Sequence, residues 1–464
     1  MRRSKSLSVL FGLALVAIQG CALIEPTNPF TPVEGVKGAG GLAGNSSWRA
    51  APLEVTGPLT LERCVETALA NNPEVAATAW DASAAGYRLD QARGANWPTA
   101  SIESSSMRYL DPQRLFQATY NGEKGVFDPN LFRNDVVVSL PLFAGGRIVN
   151  DIKAAELLEK AEHHRLARTR EELVFNVTSA FNAILGQRRV IESIEFSLKA
   201  MEQHRTQVSD LYGAQKAAKV DLLRTDVRLA DLQQTLVKER NTLAVLKRLL
   251  LTLMGGDYGE ERPDIEGKLT FEEAAYSADQ LTGKAIEGRP DYLAAKERLE
   301  AQAKRVDAAR AGHWPTVAAV GSYGLRANGM GDSGDAGAVG VNVSIPLFQG
   351  GRVVAKVNEE RANLAAAQER LRKLELQIRQ EVETAVLDVR SSAERVRAIQ
   401  KSIEQAQESL RIERMKYDLG SGSITDVLDA QSALLQTETN YYRALADFRT
   451  AIARIDFVTG GTAR

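Results

Sequence analysis

Two acidic residues near the C-terminal end of the sequence, Asp426 and Asp429, are spaced so that they could act together. They lie three residues apart at the start of a predicted helix, which places both carboxylates on one face. Such a face attracts cations. The alternative is that Asp426 only stabilises the helix N-terminus, as acidic residues in a first turn do.

Residues that could carry catalysis form no recognisable arrangement. The four histidines, His163, His164, His204 and His313, are scattered along the chain and lack paired metal ligands. The sequence contains no Ser/His/Asp spacing, no phosphate-binding loop and no cysteine pair. We therefore predict that the protein is not an enzyme and needs no cofactor or metal. A hydrolase of the cell envelope would require a catalytic constellation that this sequence lacks.

The chain is built twice from one unit. Residues 138–147 read VSLPLFAGGR and residues 343–352 read VSIPLFQGGR, which are identical at eight of ten positions. In each copy a proline ends a strand, a glycine pair turns the chain, and a long helix begins. The sequence thus predicts a first repeat at residues 58–254, a polar connector at residues 255–280, a second repeat at residues 281–459 and a short tail at residues 460–464.

The N-terminus predicts export. Basic residues within the first five positions precede an apolar stretch that is too short to cross a bilayer as a helix. This stretch ends at Cys21 in a pattern that resembles a bacterial lipoprotein signal. We expect a signal peptide at residues 1–20, lipidation of Cys21, and an extended leader at residues 21–57. An ordinary secretory signal that ends near a cysteine is the alternative. The formal charge of −1 gives no reason to expect nucleic acid as a partner.

Each repeat is predicted to contain one β-hairpin, at residues 98–141 and 315–346, whose strands are joined by polar loops at about residues 110–132 and 326–335. Apolar residues alternate with small or polar ones in the four strands, which suits a membrane β-barrel and also a half-buried soluble hairpin. An open four-stranded sheet cannot sit in lipid, because its edge groups would have no hydrogen-bond partners. Two chains would supply eight strands and three chains would supply twelve, and the strand pattern alone does not choose between them.

A long helical hairpin follows each β-hairpin, at residues 147–254 and 352–458. The first helix of each hairpin spans nearly seventy residues, which corresponds to about 100 Å. Apolar residues in the second copy recur at spacings of three and four, with many alanines and serines among them. This is coiled-coil spacing with small residues that permit close packing.

These features together resemble the TolC-like outer-membrane efflux proteins. The resemblance rests on the twofold repeat, the Trp-Pro strand starts at Trp97 and Trp314, the Pro-Leu-Phe-x-Gly-Gly-Arg corners, the Asn-Asn-Pro-Glu-Val segment at residues 71–75, and YDLGSGSITDVLD at residues 417–429. It implies a mainly α-helical homotrimer in which twelve strands form a membrane barrel and twelve helices form a periplasmic tunnel. The family supplies the exit duct of tripartite efflux pumps and type I secretion systems.

The resemblance also assigns roles at the ends of the long hairpins. Asp426 and Asp429 would form acidic rings at the periplasmic mouth, where a threefold axis brings six carboxylates together. Tyr417 and Asp221 match positions that hold the aperture shut. The arginine that the family usually carries in this loop is replaced by Gly422, which removes a charged part of that lock. The alternative for Tyr417 is simple packing at a helix end.

The loops at residues 213–219 and 418–423 would form the tunnel tip. Their exposed positions are the expected contacts with a periplasmic adaptor, and ordinary helix turns are the alternative; the positions are Gly213, Lys219, Gly420 and Ser423. Beyond the adaptor, the family works with an inner-membrane transporter of the RND, ABC or MFS type.

Two functions follow from this organisation. The first is an outer-membrane exit duct that is lipid-anchored, contacts outer-membrane lipid and extends into the periplasm. The second is a periplasmic coiled-coil lipoprotein that bridges the envelope as a scaffold and conducts nothing. The four alternating strands favour the duct, because a scaffold has no use for them.

Overall fold

The computed structural model describes residues 58–116, 126–256, 265–273, 275–328 and 333–461. The predicted signal peptide, Cys21 and the leader lie outside these residues. The elements are α1 (Leu61–Asn71), α2 (Pro73–Gly94), β1 (Thr99–Phe116), β2 (Val126–Phe143), α3 (Arg147–Gly213), α4 (Lys219–Leu253), α5 (Ala278–Gly288), α6 (Pro290–Arg310), β3 (Thr316–Ala327), β4 (Ser333–Ser344), α7 (Arg352–Asp418) and α8 (Ile424–Thr459).

Helix starts follow the capping residues in the sequence. The Thr60 hydroxyl accepts a hydrogen bond from the Arg63 N–H at 3.4 Å, which caps α1. The Asn72 side chain accepts from the Glu74 N–H at 2.9 Å, and Pro73 occupies the first position of α2. Cys64 is a buried free thiol, and burial raises its pKa to about 11.

Glycines with positive φ form both strand-to-helix corners. Gly146 (φ 85°) precedes α3 and Gly351 (φ 79°) precedes α7, so both copies turn through the left-handed region that favours glycine. Gly145 has a second reason to lack a side chain. An added Cβ would lie 2.7 Å from the Cβ of Trp314, because the corner of the first repeat packs against the start of the second hairpin.

The long helices bury the predicted seam. α3 and α7 contain 67 residues each, so each is about 100 Å long. The α7 residues that are buried include Ile378, Val382, Ala385, Val389, Ser392 and Val396. Among the described residues, no helix combines the length and apolarity needed to cross a bilayer.

Each repeat has its own apolar core, and the two repeats interlock. The first core surrounds Val177 and Ile184 of α3 and includes residues of α1 and α4. The second surrounds Ile378 and Val389 of α7 and includes residues of α5 and α8. α3 also packs against α6 and α8 of the second repeat. Gly186 permits this approach, since an added Cβ would lie 2.8 Å from Ala446.

The four strands form one antiparallel sheet in the order β1-β2-β3-β4. Residues that oppose one another share a face, as Ala100, Val138, Gly321 and Val339 do along one row. One face of the sheet carries apolar residues, including Ile102, Val136, Val138, Val339 and Val341. The opposite face carries small, polar and charged residues, including Ser101, Ser139, Ser322, Glu103 and Asp135.

The first hairpin extends beyond its predicted strand ends. A polar loop was expected over residues 110–132, yet β1 continues to Phe116 and β2 starts at Val126, with an irregular register between Arg108 and Gln113. The two strands hydrogen-bond to each other, so they persist where neither face needs to be apolar. Apolar and polar residues do not alternate in these strand ends. Such alternation reflects whether one face of a strand is apolar, and it does not show whether the strand is paired.

Candidate functional site at the hairpin tips

Two turns with the same backbone path close the long hairpins. We call residues 214–218 the first tip and residues 419–423 the second tip. Gln215 (φ 59°) and Gly420 (φ 73°) occupy corresponding positions, and both adopt the left-handed conformation. A backbone hydrogen bond closes each turn, from Lys216 to the Leu211 carbonyl at 2.8 Å and from Ser421 to the Lys416 carbonyl at 2.9 Å.

The positions expected to contact an adaptor all lie at these exposed ends. Gly213 is the last residue of α3 and Lys219 is the first residue of α4, while Gly420 and Ser423 belong to the second tip. All four are exposed to solvent. The structure therefore places them where a partner could reach them, and their role as adaptor contacts stays a prediction.

Asp426 and Asp429 are exposed on successive turns at the start of α8. The Ser423 hydroxyl accepts a hydrogen bond from the Thr425 N–H at 3.2 Å and caps this helix. Within the described part of the chain, neither carboxylate forms a hydrogen bond or an ion pair. The helix therefore does not need the Asp426 side chain as a cap, although the charge still lies favourably in its first turn.

The first tip uses its aspartate differently. Ala218 occupies the cap position of α4 and has no polar side chain, so the Asp221 carboxylate accepts the Ala218 N–H at 3.3 Å. The Thr225 hydroxyl donates to the Asp221 carbonyl at 2.9 Å one turn later. The Asp221 carboxylate is thus the side-chain acceptor at the start of α4, whereas the Ser423 hydroxyl is the side-chain acceptor at the start of α8.

Tyr417 lies in the last turn of α7 and is half-buried. It packs against two apolar clusters, one that includes Met201 of α3 and Ile424 of α8, and one that includes Val427 of α8. Burial raises the pKa of Tyr417, and the nearby Asp221 carboxylate raises it further. The structure brings the two predicted lock residues near each other without a direct hydrogen bond in the described chain. The lock itself stays a prediction.

Gly422 occupies a position that is closed to any side chain. An added Cβ would lie 2.9 Å from both the Tyr417 nitrogen and the Lys416 Cβ. The Gly422 N–H donates to the Lys416 carbonyl at 3.0 Å, which holds the loop against the end of α7. The second tip therefore has no room for a side chain at the position where the resemblance leads one to expect an arginine.

Several polar residues at the tips were not identified from the sequence. Arg224 of α4 donates to the Thr425 hydroxyl at 2.9 Å, and Arg228 contacts the Ser432 hydroxyl, so two arginines join α4 to α8 beside Asp429. One of these arginines could have been identified by aligning the two repeats in the sequence. Arg224 occupies the place in the first repeat that Asp429 occupies in the second.

Comparison with known proteins decides the family. A family model described as "Outer membrane efflux protein" matches residues 64–256 and 281–461. The chain belongs to the outer membrane efflux protein family. The two matched segments are separated at the predicted connector, which agrees with the internal duplication.

Relatives and solved structures agree with this assignment. The chain is 23% identical to the outer membrane protein TolC of Escherichia coli over 393 residues, covering 81% of this chain and 76% of TolC. It is 24% identical to OprJ of Pseudomonas aeruginosa over 426 residues, covering 86% and 84%. The Campylobacter jejuni CmeC outer membrane channel has a similar structure, with a TM-score of 0.75, 16% identity, and coverage of 86% of this chain and 85% of CmeC.

Proposed function

We propose that the chain is one protomer of a trimeric outer-membrane exit duct. An inner-membrane transporter and a periplasmic adaptor deliver cargo to its helical tips, and the cargo passes through the tunnel and leaves through the barrel. The duct is passive. The observation that carries this proposal is the open four-stranded sheet: among the described residues, no strand pairs with its two edges, and one of its faces is apolar.

The apolar face suits lipid. Val339 is 94% exposed, and Ile102, Val341 and Tyr323 are exposed on the same face. Tyr323 also lies over Gly337, whose added Cβ would meet the tyrosine ring at 2.9 Å. An exposed apolar sheet face of this kind would favour aggregation in water, whereas it is the expected outer surface of a membrane barrel.

The unpaired edges require further copies of the chain. β1 and β4 would leave rows of N–H and C=O groups without partners in lipid, where water cannot satisfy them. Pairing β4 of one protomer with β1 of the next removes both edges. Three protomers then give twelve strands and a lumen, which the barrels of the family also have.

The contact between the two repeats supplies a pattern for this pairing. Within the chain, β2 pairs with β3 and Gly145 packs beneath Trp314. The corresponding residues of the open edges are Gly350 and Trp97. No atom lies within 4 Å of a Cβ added at Gly350, and Trp97 is 71% exposed. We expect Trp97 of one protomer to pack on Gly350 of its neighbour.

The acidic pair would give the duct a cation-favouring entrance. A threefold axis along the tunnel would gather three copies of Asp426 and of Asp429. Neither carboxylate forms an ion pair in the described chain, although Arg224 and Arg228 lie beside Asp429. The alternative scaffold function leaves both this pair and the apolar sheet face without a role.

The test is single-channel conductance in planar bilayers, with the wild-type protein beside the Asp426→Asn/Asp429→Asn variant. We expect a small cation-selective conductance in the wild type and reduced selectivity in the variant. Trimers without conductance for either protein, at any voltage and in the presence of adaptor, would favour the scaffold.

We also propose that Cys21 carries a lipid anchor in the outer membrane. The support is the sequence pattern before it. Metabolic labelling with a radioactive or alkyne palmitate should label the wild-type protein and not the Cys21→Ser variant. Equal labelling of both proteins would contradict lipidation at this residue.

A further inference from the structure

A joint in which two half-buried rings meet connects the two long hairpins just above the second tip. It consists of His204 and Gln207 on α3 and of Tyr417 and Asp418 on α7. The imidazole of His204 contacts the edge of the Tyr417 ring, with 5.7 Å between the centroids and 64° between the planes. The Gln207 side chain donates to the Asp418 carboxylate at 3.1 Å. Neither the sequence motifs nor the proposed function gives His204 a role.

His204 is held in an environment that suits its neutral form. Met201 and Val208 lie on the same side of α3 and are fully buried, and Ile424 and Leu428 of α8 complete the apolar cluster around them. The Nε2 atom of His204 is buried and has no hydrogen-bond partner in the described chain. A second proton on the ring would place a positive charge among these apolar residues.

Burial and the charged groups around the joint together lower the pKa of His204. Burial lowers the pKa of His204, and Arg414 of α7 lowers it further, whereas Asp418 and the nearby Gln207 side chain oppose the decrease. Towards α4, Arg205 of α3 pairs with Asp226 at 2.5 Å, so these two charges compensate each other, and the Asp221 carboxylate acts on the Tyr417 ring. Protonation therefore costs more in the packed joint than in solvent.

We propose that His204 is a positioning residue of the aperture, whose neutral ring holds Tyr417 in the closed arrangement and whose protonated ring releases it. The inference rests on the proposed function, because it treats Tyr417 as part of the aperture. It adds a cause of opening, acidification at the periplasmic mouth, which acts through a residue of the first long hairpin.

The sign follows from linkage. A histidine whose pKa is lowered in the packed state stabilises that state fully above the ordinary pKa of about 6.5. This contribution is lost as the pH falls below that value, because the released state binds the proton more tightly. The aperture should therefore open more readily at pH 5.5 than at pH 7.5.

The first test compares channel activity at the two pH values in His204→Gln, which keeps a polar side chain and cannot be protonated. We expect the open-to-closed ratio of the wild type to rise between pH 7.5 and pH 5.5, by at most about tenfold for each histidine that binds a proton on release, and the variant to stay near the neutral-pH value. The control is His163→Gln, an exposed histidine about 60 Å away along α3, which should behave like the wild type. The same pH response in His204→Gln would overturn the proposal.

The second test does not depend on conduction. Hydrogen exchange of residues 411–423 is measured in wild type and His204→Gln at each pH, and the ratio of the two rates is taken at the same pH. We expect equal rates at pH 7.5 and faster exchange in the wild type at pH 5.5. A ratio that does not change with pH would overturn the role of His204. A changing ratio in a protein that never conducts would contradict the duct and leave the joint intact.

Discussion

The same three residues, Pro-Leu-Phe, adopt different structures in the two repeats. In the first repeat they are residues 141–143, and they form the end of β2. In the second they are residues 346–348, and they follow the end of β4 as irregular chain. The phenylalanine is 47% exposed in the first copy and 89% exposed in the second. Sequence does not explain the difference, because the surrounding motif is nearly identical.

The difference is a missing neighbour. Pro141 pairs with Ala318 and Phe143 with Val317, so β2 stays paired with β3 as far as Phe143. Nothing in the described chain lies beside residues 345–348, and the strand stops where its partner is absent. This comparison shows that backbone pairing, rather than local propensity, fixes the strand end. It also indicates where the next protomer belongs.

The tips differ in a comparable way. Asp221 accepts the N–H of Ala218, the cap residue of α4, whereas Asp426 accepts no backbone N–H in the described part of the chain and the Ser423 hydroxyl accepts the Thr425 N–H at the start of α8. An aspartate at the same place in the repeat therefore serves stability in the first copy and is free to serve conduction in the second. The following predictions test such pairs of corresponding residues.

The largest expected effect concerns Arg289 and its counterpart Asn72, which precede α6 and α2. The Asn72 amide donates to the Leu253 carbonyl at 2.9 Å, and Arg289 reaches the corresponding Val458 carbonyl at 3.4 Å. Arg289 is only 1% exposed, and it also pairs with Asp291 at 2.7 Å and Glu381 at 2.6 Å.

Arg289→Ala should lower the free energy of unfolding by about 3 kcal/mol, because it removes the closest ion-pair partner of the half-buried Asp291 and leaves it only the longer contact with Arg168. Asn72→Ala should cost about 1 kcal/mol, the value of a lost cap. Thermal unfolding of the purified protein in detergent, followed by circular dichroism, measures both. Equal losses would show that the charged cluster contributes no more than the amide.

The next effect concerns Gly422 and the corresponding Ala217 of the first tip. Gly422→Arg should not restore the family's charged lock. It should distort the second tip and destabilise it by about 1–3 kcal/mol, since the new Cβ meets backbone at 2.9 Å. Ala217→Arg is the matched control, because that position already carries a Cβ. Hydrogen exchange at each tip reports the change, and unaltered protection in Gly422→Arg would contradict the prediction.

Asp221→Asn and Asp426→Asn should separate stability from selectivity. We expect Asp221→Asn to weaken the cap of α4 by roughly 0.5–1 kcal/mol without altering cation selectivity. Asp426→Asn should reduce selectivity with a smaller effect on stability, because Ser423 still caps α8. Reversal potentials in a salt gradient and thermal unfolding provide the two readouts. A reversed pattern would refute the division of roles between the tips.

The last comparison, whose effects are of similar size, concerns the left-handed residues of the two turns. Gly420→Ala should destabilise the second tip by about 1 kcal/mol, whereas Gln215→Gly should relieve a similar strain in the first tip. The gain is partly offset by the greater freedom of glycine in the unfolded chain. Thermal unfolding of the two variants should therefore shift in opposite directions. Shifts in the same direction would mean that other contacts dominate the turns.

Features that depend on local sequence could be predicted. The repeat, the glycine corners and the seam from Ile378 to Val396 follow from composition and spacing, and the structure contains all of them. The exposed start of α8 with Asp426 and Asp429 was also expected.

Features that depend on distant contacts could not be predicted. His204 looks like any solvated histidine in the sequence, and only the approach of α3 to α7 places it against Tyr417, which is 213 positions later. Gly422 is visible as a substitution, yet the sequence does not show that its Cβ position is occupied by Tyr417 and Lys416. The ends of β1 and β2 were missed because pairing, not alternation, determines them.

The central claim is that copies of this chain complete the sheet as β2 and β3 complete each other. Leu140 pairs with Ala319 within the chain, and the corresponding residues of the open edges are Ile345 and Ile102. The measurement is disulfide formation in the Ile102→Cys/Ile345→Cys variant, with Leu140→Cys/Ala319→Cys as the control. We predict bonds between chains that give dimers and trimers on a non-reducing denaturing gel, while the control stays monomeric with an internal bond. An internal bond in the control with only unlinked monomers in the test variant would contradict the account.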